Sequence, residues 1–220
     1  HLYRYGYLFE GLANRSDIRV SVILPPFLEK SIDVKQEEQY LTREAEQYKI
    51  ELTEFKVICG NSLGQVDDDR LDIRRTEDEA LVVFYNYKLH KLLAEKGALT
   101  RELAKLRQIN PDIVFISERN GNHNHSNFIQ RLHHSFPYYF RPVYEDVEHL
   151  NIARREIGNI VGCEGRERVE RHLSLDQWRS FLQHSAGFLP LPLYGFGTRE
   201  QNGCLVCTEN NLSYFTSAWK

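Results

Sequence analysis

The chain has 220 residues, of which 41% are hydrophobic and 27% charged, and a formal net charge of −3. This is an ordinary globular mixture, long enough for one sizeable buried core, and the acidic balance excludes a general electrostatic pull on nucleic acid. No run approaches the roughly 18 consecutive apolar residues of a membrane-spanning helix, and His1-Leu2-Tyr3-Arg4-Tyr5 shows no secretory pattern.

In chain order, Leu8 to Asn14 reads as the end of a helix. Arg19 to Leu24 then reads as a buried strand stopped by Pro25-Pro26. Gln36 to Tyr48 is polar with few breakers, which predicts a solvent-facing helix, and Glu54 to Ile58 predicts the next strand. Glu79 to Tyr85 is a further strand, running into a helix marked by Leu89, Leu92 and Leu93 that Gly97 ends. Thr100 and Leu103 to Gln108 predict another helix, closed by Asn110-Pro111. Asp112 to Ser117 is a strong strand signal, and the polar loop Glu118 to Asn127 at its carboxyl end is where open α/β sheets gather their binding sites. Phe128 to Phe140, Ala153 to Cys163 and Leu175 to Ala186 read as helices. Gly203 to Cys207 and Leu212 to Thr216, around Glu209-Asn210-Asn211, read as a hairpin.

Strand runs alternating with helical patterns predict an α/β fold in a single domain over residues 1–220. Its sheet would be mainly parallel, flanked by helices and closed by the C-terminal antiparallel hairpin. That is the Rossmann-like pattern of methyltransferase folds, an analogy of fold alone.

The residues that could carry chemistry argue against turnover. A nucleotide-type cofactor needs a glycine-rich turn after the first strand, and Gly6 and Gly11 are isolated. An acid should follow the next strand to grip ribose hydroxyls, yet Leu24-Pro25-Pro26 stands there. The expectation is therefore no enzyme and no cofactor, with an S-adenosylmethionine-dependent small-molecule methyltransferase as the alternative.

Asn122-His123-Asn124-His125 with His133 and His134 lacks the convergent spacing of a zinc site, so no metal is expected. Cys204 and Cys207 read as buried thiols, and the scattered cysteines fit a reducing compartment. Arg166, Arg168, Arg171 and His172 form the densest cationic cluster, interleaved with Glu164, Glu167 and Glu170. That pattern reads either as an exposed ion-pair network or as an arginine edge for DNA phosphate or a partner carboxylate. Trp178 and Trp219 read as packing anchors.

Asn122-His123-Asn124, Tyr138-Tyr139 and Arg155-Glu156 together resemble the PFYRE region of the plant GRAS regulators. Asn159 to Gly165, Arg168 to His172 and Gln177-Trp178 are similar to the stretch that follows it, and Ser217-Ala218-Trp219 to the closing SAW motif. Leu89 to Leu93 is similar to the segment ahead of PFYRE, so the resemblance covers Leu81 to Lys220 in consistent order.

For the family, the resemblance implies a methyltransferase-like core with a helical cap and transcriptional control in the nucleus. Its partners would be other transcription regulators (another GRAS protein or a zinc-finger factor), with DNA contact in some members and homo- or heterodimers. Three departures stand out. The leucine-rich repeat and most of the VHIID motif have no counterpart beyond Tyr5 to Phe9, and Ser126 stands where a proline is expected. Only Leu193 to Gly203 separates Pro192 from Cys204, where the family has a long helix. With the absence of Met, these departures suggest a piece of a longer protein, or joined segments.

Overall fold

The computed structural model describes residues 12, 14, 15, 17–26, 34–140, 147–193, 199–201, 204–209 and 212–220. The helix end expected at Leu8 to Asn14 lies largely outside them, as does Tyr5 to Phe9. Two units are resolved by their internal contacts, His1–Arg74 and Arg75–Lys220.

In the first unit, strand β1 (Ile18–Leu24) pairs in parallel with β2 (Leu52–Cys59), from Arg19 opposite Glu54 to Leu24 opposite Cys59. Parallel pairing of consecutive strands needs a crossover, and helix α1 (Val34–Gln47) supplies it. This helix is not simply solvent-facing. Leu41 and Ala45, four residues apart on one face, are buried with Ile50 against Ile18, Tyr40 and Phe55. The many charges of the segment mask that narrow stripe. A short helix α2 (Asp68–Leu71) follows, and Arg70 donates to the Cys59 carbonyl at 2.8 Å.

The second unit begins with β3 (Val82–Asn86), which a 3₁₀ turn (Leu89–Ala94) and helix α3 (Ala98–Ile109) connect to β4 (Ile113–Arg119). Helices α4 (Phe128–Phe140), α5 (Val147–Gly162) and α6 (Leu175–Ser180) come next, α6 running into a π turn over Phe181–Ser185. Strands β5 (Pro190–Leu191), β6 (Arg199–Gln201), β7 (Cys204–Glu209) and β8 (Leu212–Trp219) end the chain. Their order is β3-β4-β8-β7-β6, with β5 beside β8. Among the described residues no helix is long and apolar enough to cross a membrane.

Both sheets are mixed with helices as expected of an α/β chain, and the C-terminal hairpin is present. The six-stranded sheet is not mainly parallel, however. Among its described residues only β3 and β4 pair in parallel; β8 runs antiparallel to β4, β5 and β7, and β6 antiparallel to β7. The tight connection between β7 and β8 permits nothing else. Gly97 also differs from expectation. It has φ 79° and precedes α3, so it opens that helix, while the leucines before it form the 3₁₀ turn. The core of this unit gathers Leu89, Leu106, Ile116, Trp178, Leu182, Phe215 and Trp219, all buried.

Candidate functional site

The carboxyl ends of β3 and β4 converge on a group of buried charges. Along β4 the residues Val114, Ile116 and Glu118 are buried in alternation, so strand geometry aims the Glu118 carboxylate inward in register with two apolar neighbours. Glu118 thus belongs to the strand rather than to the polar loop expected from its sequence. Against it lies an irregular segment with a tight turn, the Arg171 N–H donating to the Val169 carbonyl at 3.0 Å, in which Arg168, Glu170 and His172 are buried. The 3₁₀ turn after β3 brings in His90.

His90 joins the two segments. Its Nδ1 lies 2.8 Å from Glu118 Oε2 and its Nε2 lies 3.1 Å from Glu170 Oε2, so the protonated ring donates to both carboxylates. The His90 backbone N–H donates to the other Glu118 oxygen at 3.2 Å. His172 Nε2 is 3.2 Å from the same Glu170 oxygen without hydrogen-bond alignment, and Lys91 Nζ is 3.6 Å from Glu170 Oε1. The His90 and His172 rings are 4.2 Å apart, and His123 meets His172 edge-on at 5.4 Å. Beside them Arg119 pairs with Glu156 and donates to the Tyr139 hydroxyl at 3.1 Å.

The electrostatics follow from burial and partners. Burial alone would lower His90, but the Glu118 and Glu170 carboxylates outweigh it and raise its pKa. Burial would raise Glu170, yet His172, His90 and Lys91 hold it well below the usual carboxylate range. Burial leads in lowering His172 to about 4, helped by the charge on His90. It also leads in lowering His123 to about 3, with His172 adding to it.

Each shift fixes a direction of pH dependence. An unfolded histidine takes up a proton below about 6.5, whereas native His172 and His123 do not until far lower, so both withdraw stability as the pH falls below 6.5. Glu170 stabilises above its ordinary range and that contribution is lost on acidification below it. His90 acts in the opposite sense, its contribution being lost as pH rises through its raised native value. Stability should therefore peak near neutrality and fall by roughly 2 kcal/mol per buried neutral histidine by pH 5. Thermal midpoints across pH 5 to 7 check this: His172→Asn should flatten the acid limb, and an unchanged limb would contradict the assignment.

A second network holds the loop 120–127. Arg131 is buried on α4, donating to the Ile160 carbonyl at 2.9 Å, to the Ser126 carbonyl at 2.7 Å and to Glu164. Arg168 donates to the His125 carbonyl at 2.8 Å, and Arg171 to Asn124 Oδ1 at 2.9 Å. The His123 N–H donates to the His172 carbonyl at 2.9 Å, and Asn120 Oδ1 accepts from the Leu175 N–H at 2.9 Å. Asn159 receives the Val169 and Glu170 N–H groups at 2.8 and 2.9 Å. A capping box of Ser174 and Gln177 then starts α6 and sets Trp178 into the core.

Many of the residues singled out in the sequence therefore meet here, in changed roles. Arg168 and His172 lie inside the protein and not on an exposed ion-pair surface or an arginine edge; Arg171 is half-buried and tied to the loop, and Arg166 is exposed. The backbone of this segment is fixed by its partners: Asn159 Oδ1 accepts the Val169 and Glu170 N–H groups and the His172 carbonyl accepts the His123 N–H, which keeps Arg168, Glu170 and His172 inside. His123 is buried, not a polar loop histidine, while Asn122 and Asn124 are half-buried. Tyr139 is buried, Arg155 is exposed on α5, and the Tyr138 side chain lies outside the described residues. Ser217, Ala218 and Trp219 are buried in β8.

His90, Glu118 and Glu170 are the contributors that sequence reasoning missed. Among the described residues, the group able to offer converging metal ligands is His90, Glu118 and His172, whose ligand atoms lie within 4.8 Å of one another. A cation there would have to displace the proton that lets His90 donate to both carboxylates, next to the positive charge of Lys91. The geometry fits a self-paired ionic network better than a dication.

Comparisons with known proteins follow the same lines. The model of the GRAS domain family matches residues 3–217. DELLA protein 2 of Medicago truncatula is 32% identical over 232 aligned positions, covering 92% of this chain and 43% of its own length. DELLA protein GAIP of Cucurbita maxima is 35% identical over 246 positions, covering 97% of this chain and 42% of its own length. The chain therefore spans less than half of these curated relatives. In structure it is similar to SCL7 of Oryza sativa, with a TM-score of 0.77 and 20% identity, covering 98% of this chain and 70% of that one.

Proposed function

The chain belongs to the GRAS domain family, and from that membership we propose that it is a transcriptional regulator acting as a non-catalytic, protein-binding scaffold. The family is one of plant transcriptional regulators, and its DELLA members are regulatory proteins rather than known enzymes. The match runs through both units, which supports reading residues 1–220 as part of one GRAS-type domain. On this reading it works in the nucleus, alone or as a homo- or heterodimer. Its partners are other transcription regulators, such as another GRAS protein or a zinc-finger factor.

One observation carries the non-catalytic part. Open α/β sheets place ligands at the carboxyl ends of their strands. In the second unit that position, beyond β3 and β4, is filled by the buried His90, Glu118, Glu170 and His172 network, and in the first unit β1 ends in Leu24-Pro25-Pro26 where a ribose-gripping acid would stand. Side chains already committed to one another are not poised for a substrate.

Direct DNA contact is the weaker component. Arg168 and Arg171 are engaged internally, and exposed Arg166 sits between exposed Glu164 and Glu167. A phosphate would meet repulsion as well as attraction, so a partner carrying both signs of charge suits this edge better.

A second reading keeps S-adenosylmethionine chemistry. The order β3-β4-β8-β7, with β8 reversed, supports a Rossmann-like, methyltransferase-like sheet. Fold alone carries that reading, whereas the filled strand ends speak for the scaffold.

The test is recruitment. The whole chain, fused to an unrelated DNA-binding domain in plant cells, should shift the output of a reporter bearing the matching sites. Output equal to that of the DNA-binding domain alone, with the fusion folded and nuclear, would overturn the proposal.

A further inference from the structure

We propose that the outer face of α4 is a docking surface for an amphipathic, acid-flanked helix of a protein partner. This rests on the scaffold reading and names the chemistry of one partner. Phe128, Ile129, Leu132 and Phe136 are 46%, 65%, 37% and 55% exposed, and their spacing puts them on one side of the helix.

The stripe adjoins the buried side of α4, on which Arg131, Ser135 and Tyr139 are buried at the same four-residue spacing, and continues the apolar surface outward from it. Large apolar side chains scattered singly over a surface are ordinary, but four in one continuous row mark a contact site. Anchors at this spacing are what a helix laid alongside another helix recognises.

Charge decides the occupant. The α4 sequence FIQRLHHSFPYYF contains no Asp or Glu, and its one arginine is buried and engaged. Exposed His133 borders the stripe, with His134 stacked on His125 at 6.2 Å and edge-on to His133 at 5.6 Å. The rim thus offers ring N–H donors and no acidic group of its own helix. A second copy of α4 would bring histidine against histidine with no carboxylate to answer them. A helix with an apolar stripe and flanking glutamates would cover the four side chains and accept from the histidines.

The probes are two synthetic peptides of about 18 residues, long enough to hold a helix. They share one Leu/Ile stripe and differ only in having glutamate or lysine flanks. The 220-residue chain should bind the glutamate peptide at least about tenfold more tightly than the lysine peptide. The double variant Ile129→Ser, Phe136→Ser should weaken that binding at least about tenfold, and the exposed positions should leave the thermal midpoint unchanged.

Equal binding of the two peptides, or none of the glutamate one, would overturn the proposal. So would self-association of the chain that the double variant abolishes, since the face would then belong to a second copy. Peptide failure with an intact reporter response removes this surface alone. A silent reporter removes the scaffold reading whatever the peptides do.

Discussion

Replacing Trp219 with alanine is expected to destabilise the chain by about 3–5 kcal/mol, among the largest effects of any single truncation in it. Trp219 is 1% exposed and lies opposite Val114 of β4 on one side and Pro190 of β5 on the other. Its indole N–H donates to Ser217 Oγ at 2.8 Å, and Ser217 Oγ donates in turn to the Ile116 carbonyl at 3.4 Å. Truncation therefore opens a cavity where three strands meet and removes the hydrogen bond that Ser217 Oγ accepts. Urea denaturation reads the effect as a large fall in midpoint, with exposed Lys220→Ala as the neutral control. A midpoint that does not move would mean that the ring contributes little to the sheet.

Glu118→Ala should cost a similar amount, about 3–5 kcal/mol, for a different reason. Removing one member of a buried ion pair leaves the other without its partner, and His90 would then face only Glu170. With Glu118 gone the main cause of the raised His90 pKa disappears, so the loss of stability on the alkaline side should vanish with it. Because the two residues act as a unit, Glu118→Ala and His90→Ala together should cost less than the sum of the single changes, by at least about 1 kcal/mol. Strict additivity in urea midpoints would show that the pair is not coupled.

The strands of the second unit were legible because they are local signals. Ile113 to Ser117 and the two arms at Cys204 and Leu212 are apolar runs between turn residues, and they pair as a hairpin and its neighbour. What the sequence hides is range. His90 and Glu170 are 80 positions apart and meet only once the 3₁₀ turn and the 165–174 segment have been placed. Periodicity was informative where it was missed: Val114, Ile116 and Glu118 share one face of β4. Charge composition pointed the other way, because alternating Arg and Glu read as a solvated surface. The same bias made α1 look solvent-facing, since Leu41 and Ala45 are few among many charges. Gly97 was misplaced for want of a backbone angle, as glycine at either helix end looks alike in sequence.

The scaffold reading holds that the carboxyl ends of β3 and β4 are filled by the protein's own ion network, and that β1 ends in Leu24-Pro25-Pro26 with no acid to grip a ribose. Calorimetric titration of the purified chain with S-adenosylmethionine meets that statement directly. The predicted result is heat indistinguishable from dilution. Saturable one-to-one binding with a micromolar dissociation constant would contradict it and return the methyltransferase reading to first place.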